Sequence, residues 1–500
     1  MSPRADRRAR TNPGPAARTL LGAALFSAFV LSLPDKAAAQ AATTPPRTTE
    51  AEASGPSEPG FFTGLFAPSR SNLLGTMGGL RTVLGNYGVS LNITDAETVL
   101  GNVSGGFKQG ATMQGLTTAT LQVDTGKAFG LPGGTFDVSA LQIHGNNDFD
   151  TSYLGTIQTT NGNEAENATR LWELWYDQSF AGGNFDIKIG QQSIDQEFIV
   201  SQYSGLFINT MMGWPALPSN DLYAGGPAYP LSSLGVRLRG KPTPDLTVLA
   251  GVFDDNPPGG SFDDDPQFLD ASGTRFNLNT GALIIAELQY AVNQPSLGQM
   301  NYGNGSAGLP GTYKLGFWYD TGWFPDQEFD NTGLSLANPD STGIPAMHKG
   351  NYSFYGVMDQ MVCRPDPQSP RSLGVFLRAM GAPSQQNFIT MSVNGGLSLT
   401  DPLPGRDSDT AGLGFGIVRV SGAVSALDQQ TAFFTGTPYP VRSTETFLEL
   451  TYQFQAAPWW TIQPDFQYIF NPGAGIKNPN NPAARVGNEA VIGFRTVVTF

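Results

Sequence analysis

The strongest constraint on this chain is an alternation of period two that begins after Tyr87 and continues to the last residue. Sixteen segments carry it: 88–100, 116–125, 134–144, 169–180, 184–193, 233–242, 245–254, 281–290, 311–321, 352–362, 372–382, 388–399, 411–421, 444–455, 459–469 and 490–500. Apolar residues at every second position mark a strand with one apolar face. At roughly 9–12 residues, each segment has the length a tilted strand needs to cross a hydrocarbon layer. Gly, Pro, Asn and Asp fill the gaps, as turns require. Even-numbered gaps include the tight 181–183, 243–244 and 456–458, whereas odd-numbered gaps include 194–232, 255–280, 322–351, 422–443 and 470–489. Short turns alternating with long loops are the layout of a meander barrel in an outer membrane. Two gaps break the rule, since 291–310 is long where it should be short and 383–387 is the reverse. The expected fold is all-β, a transmembrane antiparallel β-barrel of about 16 strands.

Both ends of the chain agree with export to such a membrane. Arg4, Arg7, Arg8, Arg10 and Arg18 precede an apolar run from Leu20 to Leu33, and Ala37-Ala38-Ala39 follows. Basic, apolar and small-residue blocks in that order read as a signal peptide over 1–39, because the apolar run is shorter than the ~20 residues of a membrane-spanning helix. Residues 40–70 begin with a stretch rich in Thr, Pro, Glu, Ala and Ser and are expected to be disordered. From Ser71 to Gly85, Leu73, Leu74, Met77, Leu80, Val83 and Leu84 share a helical face, which predicts one short amphipathic helix ahead of the barrel of residues 71–500. At the other end VIGFRTVVTF places Ile492, Phe494, Thr496, Val498 and Phe500 on one strand face, a pattern that resembles the C-terminal strand of bacterial outer-membrane barrels.

Composition removes several functions. Loss of residues 1–39 takes away six basic and two acidic residues and moves the net charge from −14 to −18, which disfavours nucleic-acid binding. Cys363 is the one cysteine, and His144 and His348 are the two histidines. That set provides no internal disulfide and no conventional zinc site. The acidic stretch 254–265, with Asp254-Asp255 and Asp263-Asp264-Asp265, is a candidate for Ca2+, although such a run is more often a solvated loop; no other cofactor is expected.

In a barrel, outward and inward side chains alternate, and a charge on the lipid face near mid-membrane costs ~2–4 kcal/mol. The apolar register therefore exposes the lumen register. Trp172, Leu174 and Tyr176 form an outward set, which leaves Glu173, Trp175 and Asp177 inward. The same logic places Asp186, Lys188, Arg237, Arg239, Lys314, Trp318, Asp320, Arg378, Glu445, Glu449 and Arg495 in the lumen. Glu97 falls on the side of Leu91 and Ile93 unless a bulge shifts the first strand. Arginines, carboxylates and aromatic rings together suit a polyol, whose hydroxyls meet charged groups and whose C–H faces pack on rings. The channel-lining candidates are Glu173, Trp175, Asp177, Lys188, Arg237, Arg239, Trp318, Arg378, Glu449 and Arg495. A general polar wall, passing solutes without preference, remains an alternative reading of the same residues.

Residues 194–232, rich in aromatics, are too long for a turn; as the third outer loop they resemble the infolded constriction loop of sixteen-stranded porins, with an external cap as the alternative. RLWELWYDQ, DIKIGQQSIDQEF, SQYSGLFINTMMGWPALPSNDLYAGGPAYPLSSLGVRLR, VLGNVSGG at 99–106 and DVSALQIHG at 137–145 resemble the OprB family of carbohydrate-selective porins, over about Ser71 to Phe500. The resemblance implies a sixteen-stranded barrel that passes glucose and related sugars across the outer membrane of a Gram-negative bacterium, with Arg, Glu and aromatic residues at its constriction. Sugars and outer-membrane lipid are then the partners, with either a monomer or a homotrimer open. Lys108 stands where an arginine is expected, which leaves the preferred sugar open. A secreted carbohydrate-active enzyme would need paired carboxylates in a cleft; Glu173 and Asp177 lie ~13 Å apart along one strand face, a poor fit. A surface adhesin would explain the strands but not the lumen charges and tryptophans.

Overall fold

A computed structural model describes residues 70–500 apart from 263, 295–307 and 367–368. The expected leader and all but the last residue of 40–70 lie outside the described residues. Sixteen strands form one closed barrel: β1 (Val89–Ser104), β2 (Gly110–Asp124), β3 (Gly134–Gly145), β4 (Ala168–Phe180), β5 (Phe185–Gln192), β6 (Ser233–Thr243), β7 (Leu246–Asp254), β8 (Ala282–Val292), β9 (Gly311–Asp330), β10 (Pro345–Cys363), β11 (Ser372–Gly381), β12 (Ile389–Thr400), β13 (Thr410–Val420), β14 (Thr444–Ala457), β15 (Trp460–Phe470) and β16 (Glu489–Thr499). Every strand pairs antiparallel with its sequence neighbours, and β1 closes on β16 through pairs such as Val99 with Phe494. Closure leaves no strand edge unpaired, the condition for a sheet to cross hydrocarbon.

The alternation predicted from sequence is visible in the side chains. Leu315, Phe354, Leu450 and Ile492 are exposed on the outer face, while Trp318, Arg378, Glu449 and Val491 are buried within. The longest departure is in β9 and β10, of 20 and 19 residues. They convert most of the expected loop 322–351 into strand, because Trp323, Phe324 and Pro325 continue the pairing with Lys349, His348 and Met347.

Two local expectations fail. Trp172 does not point outward: the register of β3 on β4 shifts between Val138 and Ala140, where Val138 pairs with Leu174 but Ala140 with Leu171. This bulge lets Trp172 and Glu173 both leave the lipid face. The helix expected over 71–85 is confined to Leu80–Asn86. Gly75, Gly78 and Gly79 adopt positive φ and turn the chain before it. Leu73 N and the Arg81 guanidinium donate to the carbonyls of Thr499 and Phe500, so the segment is tied to the end of the last strand.

In β1 the pairing with β2 runs without a shift from Val89 to Asn102, so Glu97 does face outward. Its Oε1 meets His144 Nε2 at 2.6 Å, and Asp95 accepts the Thr117 hydroxyl at 2.6 Å. Gly115 lies between Glu97 and His144, and any side chain there would collide with both.

Two connections at the end away from the termini fold into the barrel. Loop 146–167 (L2) and loop 193–232 (L3) supply Phe149, Leu154, Phe198, Phe207, Met212 and Leu217 to the main buried cluster, all at most 1 % exposed. Loop residues therefore occupy part of the lumen.

Candidate functional site

L3 owes its path to the inner wall of β8–β15. Glu287 accepts Ile199 N at 2.8 Å, Lys314 donates to Val200 O at 2.7 Å, and Asp359 accepts Gln202 N at 3.0 Å. Arg378 donates to the carbonyls of Ile199, Met211, Met212 and Gly213 at 2.7–3.1 Å and to Asn394 Oδ1 at 2.8 Å. Glu449 accepts Ile208 N and Asn209 N. These groups satisfy backbone that would otherwise be buried without partners. L2 is held likewise, with Glu445 accepting Ile157 N and Gln158 N at 2.8–3.2 Å.

On the other side, L3 stands off from the wall formed by β16, β1, β2 and β4. A cavity of about 110 Å3 remains between them. Its wall side carries Thr94, Ala96, Leu116, Thr118, Trp172, Arg495 and Val497; its loop side carries Asn163, Asp195, Gln196, Thr210, Trp214 and Tyr229, with Arg378 beneath. Trp172 and Tyr229 meet edge to face at 6.4 Å, and the Tyr229 hydroxyl donates to Asn163 O at 3.0 Å. Asp195 accepts the Ser193 hydroxyl at 2.6 Å and Tyr229 N at 3.2 Å, while burial pushes its carboxyl above the ordinary range. Aromatic faces, an acid, two arginines and several hydroxyls thus converge on a space of small-solute size.

Of the ten candidates, Arg378 and Arg495 border this cavity. Arg495 donates to Thr98 Oγ1 at 3.1 Å and Asn161 Oδ1 at 2.7 Å, which joins β16 to β1 and L2. Glu449 and Glu173 are spent on loop backbone, the latter on Ser193 N at 3.0 Å. Trp318 is 1 % exposed in the packed cluster under L3. The remaining five form one network on β4–β6. Arg237 pairs with Asp186, with Asp177 at 3.4 Å and with Glu197 of L3 at 2.7 Å. Lys188 also pairs with Glu197 and lies 4.5 Å from the Trp175 ring centroid, and Arg239 meets Asp186 at 2.6 Å. Burial pushes the Glu197 carboxyl up, but Lys188 and Arg237 outweigh it and hold it at about 2. Lys108 is exposed on the β1–β2 turn, 3.9 Å from the Tyr153 ring centroid and not on the cavity.

Parity missed Trp172 because the bulge is silent in sequence, and it missed Asp195, Trp214, Tyr229 and Asn163 because loops have no period. The aromatic density of 194–232 is the signal that pointed to Trp214 and Tyr229.

The model of the carbohydrate-selective porins, OprB family, matches residues 108–500. The chain belongs to the OprB family. Porin B of Pseudomonas aeruginosa is 25 % identical over 442 residues, which cover 83 % of this chain and 90 % of that one. The putative porin QuiX of Acinetobacter baylyi is 24 % identical over 432 residues, 82 % of this chain and 91 % of that one. Among solved structures, the high-pH structure of Pseudomonas putida OprB superposes with a TM-score of 0.74 at 22 % identity and covers 87 % of this chain and 99 % of that one. An OprB-family barrel is a channel fold, and its place is the Gram-negative outer membrane.

Proposed function

We propose that this chain carries carbohydrates, glucose and related monosaccharides, down their gradient into the periplasm, and that they cross through the cavity between L3 and the β16–β4 wall. The observation that carries this reading is the convergence of Trp172, Trp214 and Tyr229 with Asp195, Arg378 and Arg495 around one small space. A pyranose presents C–H faces to the rings and hydroxyls to the charged groups. Arg495 and the Asp195 carboxylate facing one space also set up a polar constriction where a sugar exchanges water for protein hydrogen bonds. Family membership supports the same solute class. The barrel acts as a channel.

The test is swelling of liposomes that contain the purified protein. Glucose is expected to enter faster than a charged solute of similar mass, with a rate that saturates. Rates that depend on solute size alone would favour a general diffusion channel instead.

A further inference from the structure

The outer face of β1–β3 carries an imidazole and two carboxylates, with both acids near the middle of β1. Asp95 and Glu97 stand two residues apart on β1, and the rows Asp95–Thr117–Gln142 and Glu97–Gly115–His144 bring His144 of β3 to the same face. One ligand atom from each of Asp95, Glu97 and His144 lies within 4.8 Å of the other two. That span is close to the separation of two opposite atoms bound at ~2.1 Å to one ion. The Thr117 hydroxyl donates to Asp95 Oδ1 at 2.6 Å and orients it. Gly115 keeps the space between the other two clear, since a Cβ there would strike His144 Nε2 and come within 2.7 Å of Glu97 Oε1.

Local partners leave this group incomplete. His144 Nε2 meets Glu97 Oε1 at 2.6 Å, but Glu97 Oε2 and His144 Nδ1 are buried atoms with no hydrogen-bond partner. Among the described residues no Lys, Arg or His forms an ion pair with Asp95. Leu91, Ile93 and Val99 share its face of β1, and Phe494 pairs beside Val99. Ionisable side chains among such neighbours persist where they are paired or hold an ion. A His144 imidazolium would neutralise one carboxylate and leave the other. A divalent cation with both carboxylates and a neutral imidazole sums to zero charge, and it gives the unpartnered lone pairs an acceptor. One imidazole beside two carboxylates suits a borderline ion of the Zn2+ type, whereas Ca2+ takes oxygens alone and in larger number.

We propose that Asp95, Glu97 and His144 bind one Zn2+-type divalent cation on the outer wall of the barrel, where it staples β1 to β3 across β2. This is neither the cysteine–histidine site that composition excludes nor the acidic stretch 254–265. In that stretch Asp264 accepts Ser261 N at 2.8 Å, and Asp265 caps the turn Pro266–Leu269 by accepting Gln267 N and Phe268 N. His144 and Glu97 are 47 residues apart in sequence, so only the strand pairing brings them together. His348 provides the contrast. It pairs with Asp326 at 2.7 Å, and among the described residues no second acid joins them in ligand range.

The experiment uses the full-length barrel without an affinity tag, in detergent, stripped with EDTA and titrated with Co2+ as a spectroscopic probe. Visible d–d absorption is expected to saturate at a single equivalent and to be lost on adding Zn2+ but not Ca2+. Asp95→Asn with His144→Gln should weaken Co2+ binding at least tenfold, while His348→Gln leaves it unchanged; heat-modifiable migration on gels shows that each variant is folded. Absence of saturable binding in the parent protein would overturn the proposal. So would binding that survives the double substitution, that is lost with His348→Gln instead, or that Ca2+ displaces as readily as Zn2+.

Discussion

Arg378 on β11 and Arg495 on β16 are both buried lumen arginines, yet the walls that carry them differ. Arg378 sends all five of its N–H donors to acceptors, four of them L3 carbonyls. The neighbouring charges of β8–β15, Glu287, Lys314, Asp359 and Glu449, also end on L3 backbone. On the β16–β4 wall the inward row is Thr94, Ala96, Leu116, Thr118 and Trp172, with Arg495 as its charge, and it faces the cavity. One wall positions the loop and the other faces the solute. An inward charge is therefore no measure of contact with cargo; what matters is whether a loop reaches it first.

The sharpest way to break this contrast is Arg378→Ala. Each buried carbonyl left without a donor costs ~1–3 kcal/mol, so L3 should leave the wall, raise single-channel conductance several-fold and abolish saturable glucose block. Unchanged conductance would show that the β8–β15 wall is not the scaffold of L3. A change on the opposite wall should act differently. Trp172→Ala removes a ring face worth about 1 kcal/mol, and is expected to weaken glucose block by roughly fivefold to tenfold while conductance changes little.

How far these residues were legible in sequence follows the same divide. Period two located the sixteen strands and turned Arg378, Glu449 and Arg495 inward, because that register is a local property of the pleat. It failed at Trp172, where one extra residue in β4 shifts the pairing, and it is silent about L3. Tyr229 of L3 owes its position to a hydrogen bond with Asn163 of L2. Partners drawn from different loops leave no spacing to read. Lys188 and Arg237 were chosen for lumen parity alone, and parity does not say that Glu197 occupies them.

A smaller effect tests the loop packing by pH. Burial, and then the charge of Asp150, push the Glu164 carboxyl of L2 up to about 9. The folded chain holds this proton between pH 4.5 and about 9, where the unfolded chain has released it. Its stabilising contribution is thus full below pH 4.5 and is lost as pH rises through about 9. The apparent melting temperature should fall over that interval, and Glu164→Gln should flatten the fall; a slope unaltered by the substitution would place the titration elsewhere. The smallest effect is expected at Trp175→Ala. It removes a ring beside Lys188, worth ~0.5–1 kcal/mol, and should leave glucose block untouched. Weakened block would move the sugar path toward β4–β6.

The central claim is that sugar passes between L3 and the β16–β4 wall, and glucose titrated against ion current in a planar bilayer tests it most directly. The account predicts block that saturates in the parent channel, shifts to higher glucose in Trp172→Ala and stays in place in Trp175→Ala. Current that ignores glucose in the parent, or a shift with Trp175→Ala alone, would contradict it.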